Sequence, residues 1–141
     1  PRGKALFFPI LNVSCNSREA ELGACPPAKP IISEMRAWTA SLIAPSSGFL
    51  VTVDGAPVTG DLKNNFRLQS PVFDVVVPAF PNGKNLYQAI GETGVTAGRY
   101  FTVDDGIYVM LKPLPAGSHT LNFRGSVGDF SLDVTYQLTI E

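Results

Sequence analysis

The groups in this 141-residue chain that could do chemistry are few: one His, two Cys, four Tyr and twelve acidic residues. Hydrolysis by a Ser-His-acid arrangement needs an imidazole to take the nucleophile's proton. The single candidate, His119, shares a parity with Leu121 and Phe123, which predicts a packed or sheet-edge side chain rather than a base. No Gly-x-Ser-x-Gly elbow, phosphate loop or dinucleotide fingerprint occurs. Asp54, Asp61, Asp104, Asp105 and Asp129 fall in expected turns, where Asp commonly bonds its own backbone. A calcium site would need six to eight oxygens, and no calcium-loop spacing is present. Asp104 and Asp105 are adjacent: on a strand they would point to opposite faces, in a turn both could face outward. Tyr87, Tyr100, Tyr108 and Phe80 are the aromatics that could form a sugar platform, with core or loop anchoring as the alternative. Tyr87 and Tyr100, together with Asp104 and Asp105, make the candidate ligand-binding set. The residues imply no cofactor and no metal.

Cys15 and Cys25 stand ten residues apart with turn formers between them. A local disulfide is expected, with two separate buried thiols as the alternative. No nearby His or third Cys suggests a metal site. A disulfide would place the protein in an oxidising compartment, the periplasm, the cell surface or outside the cell. Asn12-Val13-Ser14 is an N-glycosylation sequon, relevant only on a eukaryotic secretory path. A net charge of −1 without a Lys/Arg cluster gives no nucleic-acid footprint. No apolar run approaches the roughly 20 residues of a membrane span. Beginning at Pro1 without a signal-peptide apolar region, the sequence is expected to be a mature form or a fragment.

The elements that must position these groups are mainly strands. Phe130, Leu132, Val134, Tyr136, Leu138 and Ile140 alternate with polar residues, the period-two pattern of a strand with one face toward a core. Lys4 to Val13 is apolar on both parities, which predicts a strand covered on both sides. Pro9 puts it at a sheet edge or a bulge. One turn of helix is expected within Ser17 to Leu22. Ser33 to Ala44 is the one good helix, with Met35, Trp38, Thr39, Leu42 and Ile43 on its apolar stripe, Ser33 as its cap and Pro45 as its stop. Trp38 should pack that helix on the sheet. Asp54-Gly55 between apolar runs signals a hairpin. Asp61 to Asn65 reads as a polar turn, and Phe66 to Val77 as one long strand with a bulge or an edge position at Pro71. Residues 78–98 form a long punctuated loop. Arg99 to Val103 and Gly106 to Leu111 read as two strands about an Asp104-Asp105-Gly106 turn, the second of them central. Short links between successive strands mean an antiparallel arrangement. The fold class is a single all-β domain over 1–141, an antiparallel β-sandwich of Ig-like or jelly-roll type with about eight strands and one short α-helix.

KALFFPILNVSC, TVDGAPV, FRLQSPVFDVVVP, DDGIYVMLKPLPAGSHTLNFRG and FSLDVTYQLTIE, which cover most of the chain, resemble segments of a family of small secreted bacterial proteins of unassigned function. The pairing of PLPAGSHTL with DVTYQLTI is also similar to the last hairpin of many Ig-like sandwiches, although the helix departs from a plain Ig topology. The resemblance implies a secreted β-sandwich and carries over no functional residue. The expected function is a non-catalytic extracellular domain that binds or builds, its partners being other copies of itself, another surface protein, or glycans, with self-assembly expected through exposed strand edges such as Lys4 to Val13. A carbohydrate-binding module is the alternative, and a glycoside-active enzyme with a carboxylate pair is a more distant one.

Overall fold

The computed structural model describes residues 3–25, 29–79 and 85–141. Among them eight strands and four short helices follow one another: β1 (Leu6–Asn16), α1 (Ser17–Glu21), α2 (Ile32–Ile43), β2 (Ser47–Val53), β3 (Ala56–Pro57), α3 (Leu62–Phe66), β4 (Arg67–Gln69), β5 (Phe73–Val77), α4 (Leu86–Ala89), β6 (Gly98–Leu111), β7 (Gly117–Val127) and β8 (Phe130–Ile140). They make two four-stranded antiparallel sheets, a sandwich-like all-β fold. One sheet runs β1-β6-β4, with β5 also paired to β6. The other runs β3-β2-β7-β8. The chain packs into two compact units: Pro1–Asn12, Leu42–Leu68 and Gly106–Glu141 in the first, Val13–Ser41 and Gln69–Asp105 in the second.

In the first unit two tight turns set the register. Asp54 (φ 53°) and Gly55 (φ 80°) are both left-handed, the type I′ geometry that matches strand twist. They join β2 to β3, with Val53 opposite Ala56. Gly128 (φ 55°) opens the two-residue link between β7 and β8, which pair without a break from Val127↔Phe130 to Gly117↔Ile140. β2 pairs with β7 and slips once between Ser47 and Leu50, where Gly48 takes a positive φ. The core side is one face of this sheet, where Val51, Leu121 and Phe123 are buried; Ile10, Leu11, Ile107 and Val109 of the same unit are buried as well. Phe8 stacks on Phe123 with ring centroids 4.9 Å apart.

The second unit has a different centre. Cys15, Ala20, Cys25, Met35 and Val103 form a buried cluster, with Trp38 and Phe101 packed on it. The Cys15–Cys25 disulfide is present, with Cα atoms 6.1 Å apart. Trp38 thus anchors α2 as its spacing predicts. β5 pairs with the start of β6 from Phe73↔Thr102 to Val77↔Gly98.

Several expectations need correcting. β1 is an edge strand, one of the two placements that Pro9 allows, but it is not covered on both sides, since Phe7 is exposed. α2 begins one residue early, so Ser33 is not its cap; the Ile31 carbonyl accepts the N–H groups of Glu34 and Met35. Residues 61–77 are not a turn and one strand. Asp61 caps α3, and the extended run breaks at Ser70-Pro71 into β4 and β5. Proline has no N–H to continue a ladder.

The largest correction concerns Asp104-Asp105-Gly106, which is not a turn but the middle of β6, a single 14-residue strand. Gly106 is there for space. A Cβ at that position would stand 2.7 Å from the Leu11 carbonyl oxygen and 2.9 Å from the Asn12 Cα, which are backbone atoms that cannot yield cheaply. Turn chemistry and close strand approach select the same residue.

Candidate functional site

His119 sits on β7 beside the type I′ turn. Its Nδ1–H donates to Asp54 Oδ2 at 2.7 Å and its Nε2–H donates to the Pro115 carbonyl at 3.1 Å. Both partners are acceptors, so both ring nitrogens carry hydrogen and the imidazolium is the form that fits. The Asp54 hydrogen bond, then that to Pro115, raise the His119 pKa. The same bond, and the Thr120 N–H donating to Asp54 Oδ1 at 2.8 Å, lower that of Asp54. An imidazole with no free lone pair is no general base. The pair clamps the β2–β3 turn to β7.

Asp104 and Asp105 are both buried within β6. Asp105 Oδ2 accepts from Gln69 Nε2 at 3.0 Å. The Ser70 N–H donates to the Asp104 carbonyl at 2.9 Å, and the Asp104 N–H donates to Ser70 Oγ at 2.9 Å. These bonds tie Gln69 and Ser70 to β6. Tyr100 folds back along the chain, its hydroxyl donating to the Thr96 carbonyl at 3.1 Å, with its ring over Gly98. Tyr87 on α4 is half-buried, and burial raises its pKa. No ring contact or hydrogen bond joins Tyr87 to Tyr100 among the described residues. Tyr108 stacks on Phe7, centroids 5.5 Å apart. Phe80 lies outside the described residues. Asn12 is exposed, but it stands on β1 rather than in a loop.

Sequence reasoning missed an acid pair in the second unit. Asn16 caps α1: its Oδ1 accepts the N–H groups of Arg18 and Glu19 at 2.9 Å each, and its own N–H donates to Glu19 Oε2 at 2.7 Å. That is a reciprocal capping box. It seats a buried Glu19 whose electrostatic neighbour is Glu92. Desolvation, then the hydrogen bond and charge of Glu92, push the Glu19 pKa up to about 7 against the opposing Asn16 N–H. Tyr87 faces the same group. Glu92 Oε2 and Asn16 Nδ2 are buried without a hydrogen-bond partner among the described residues. The Asn16-x-x-Glu19 spacing was a readable cap signal, but nothing local links Glu19 to Glu92, 73 positions on.

The surface left incomplete is the outer edge of β8. Among the described residues it ends its sheet, with β7 as its one neighbour. None of its eleven residues is buried. The apolar parity faces the core side, since Leu121 opposes Tyr136 and Phe123 opposes Val134. Yet Phe130 remains 58% exposed and Tyr136 51%. The core thins out along this strand, beside an eleven-residue ladder with one side open. Long edges with so little charge are what other strands pair with.

No protein-family model, curated protein or solved structure matches the chain. No helix of the described residues is long and apolar enough to cross a membrane.

Proposed function

We propose that this chain is a non-catalytic β-sandwich domain of an oxidising compartment, outside the cytoplasm, whose work is to join another protein strand through the open edge of β8. The observation that carries this reading is that edge: eleven residues long, with Asp133 as its one charged side chain and a half-covered apolar face. The rest of the molecule supports it. The histidine has both nitrogens engaged, Asp104 and Asp105 are turned inward, and Glu19 is buried in the capping box of Asn16. The disulfide supports the compartment.

The purified protein, tested against chromogenic glycosides, esters and peptides, should show no turnover above the blank. Turnover that disappears in Glu19→Gln or Asp105→Asn would overturn the reading.

A further inference from the structure

We infer that the strand which completes the β8 edge is β8 of a second copy, paired antiparallel about a two-fold axis at Thr135. This inference rests on the reading above and names its partner.

The backbone fixes which groups are available. In a two-residue hairpin the closing pair, here Val127 and Phe130, exchanges both of its hydrogen bonds. Phe130, Leu132, Val134, Tyr136, Leu138 and Ile140 therefore turn their backbone groups toward β7. Ser131, Asp133, Thr135, Gln137 and Thr139 turn theirs toward the open edge. A two-fold axis normal to the sheet at Thr135 sets Thr135 opposite its own copy, Asp133 opposite Gln137, and Ser131 opposite Thr139. All these pairs bring free N–H and C=O groups together, about ten hydrogen bonds in all.

The side chains agree with that register. It sets Phe130 opposite Ile140, Leu132 opposite Leu138, and Val134 opposite Tyr136. Every cross-strand pair on the core side is then apolar on apolar, which is what stabilises neighbouring strands. An axis normal to the sheet keeps both core faces on one side, so the two thin margins of core meet and cover each other. Asp133 never opposes its own copy; it meets a neutral Gln137. The interface is isologous, the closed arrangement commonest among homo-oligomers. The product is one eight-stranded sheet, ordered β3-β2-β7-β8 and back, within the usual size of twisted sheets.

Light scattering across a concentration series should give twice 15.1 kDa. Thr135→Pro removes an N–H that faces the open edge and accepts an extended φ, so it should yield a folded monomer. Should that variant fail to fold by circular dichroism, Gln137→Asp decides. It places two Asp pairs face to face and should weaken association roughly fivefold, while Gln137→Lys should tighten it by a similar factor. Register is read by mild oxidation, since both native Cys are already bonded. Thr135→Cys brings two Cα atoms to about 5.5 Å and should cross-link into a covalent dimer. Thr139→Cys leaves the two thiols about 27 Å apart and should not. A wild-type protein that stays monomeric at hundreds of micromolar, or cross-linking at 139 as readily as at 135, overturns the pairing. Either result still leaves an edge for a different strand, so the reading above fails only on its own turnover test.

Discussion

The β7–β8 hairpin and the disulfide-closed unit around α1 deal with polarity in opposite ways. The hairpin has uninterrupted pairing over eleven registers, and it leaves aromatic side chains in water. The second unit has short helices and bends, and beside them it buries Asn16, Glu19 and Asn85. The difference follows from where backbone groups find partners. A regular ladder satisfies its own N–H and C=O groups, so its side chains are free to be apolar, and an unpaired edge remains at its limit. An irregular segment must bring polar side chains inward to meet its backbone. Asn16 does so for α1, and Asn85 does so for α4 through Gln88 N–H at 3.0 Å and the Val95 carbonyl at 2.8 Å. Regularity thus leaves an unpaired edge, and irregularity draws polar side chains inward.

That contrast can be broken from either side. The largest effect should come from opening the disulfide. Cys15→Ser with Cys25→Ser releases a loop of ten residues and should cost about 3 kcal/mol. Urea unfolding measures the loss, and hydrogen exchange should show it in residues 13–25 while β7 and β8 keep their protection. Nearly as costly is Gly106→Ala. Its Cβ meets β1 backbone, so β1 must shift from β6, a loss of about 2–3 kcal/mol. A variant as stable as the parent would show that the approach relaxes freely.

A smaller and pH-dependent effect belongs to Glu19. Its folded-state pKa, about 7, lies above its ordinary value of 4.5, so the folded state binds the proton more tightly than the unfolded one. The stability it lends is full below about pH 4.5 and is lost as pH rises through 7. Glu19→Gln keeps the capping bond from the Asn16 N–H and removes the charge. Its unfolding midpoint should exceed that of the parent at pH 8 by a few degrees (~1 kcal/mol) and match it near pH 4. An unchanged slope between pH 5 and 8 would place the titration elsewhere.

The smallest effect tests the His119 clamp. Its contribution is present below the ordinary histidine pKa and lost as pH rises through the raised one. That of Asp54 is present above the ordinary carboxylate range and lost as pH falls through its lowered pKa. Asp54→Asn suits the left-handed turn position and removes the charge. The unfolding midpoint should barely move, while the His119 ring titration followed by NMR should shift to lower pH.

How much of this was legible in the sequence depended on locality. The alternation in β8, the Asp-Gly turn, the α2 stripe of Met35, Trp38, Thr39 and Ile43, and the Cys15–Cys25 bridge all carry signals within a dozen residues, and each is present in the fold; Leu42, expected on the same stripe, is exposed. Parity said which residues of β8 share a face, but not how far the opposing layer reaches over that face. Burial is a property of what comes to lie opposite. Asp104-Asp105-Gly106 was misread because glycine answers two needs, and its partner here is Leu11, 95 positions earlier. The Glu19–Glu92 contact has no local trace at all.

The hairpin also bears on the order of events in folding. Its pairs are separated by between 3 residues, at Val127 and Phe130, and 23, at Gly117 and Ile140, and so local a ribbon closes in microseconds. Bringing Phe8 onto Phe123 closes a span of 115 residues, and non-local closure is slow. The ribbon's outer rim is therefore ready for a neighbour while the chain that will cover its inner face is still searching. Refolding yield should fall as protein concentration rises, because early collisions find a finished rim on an unfinished molecule.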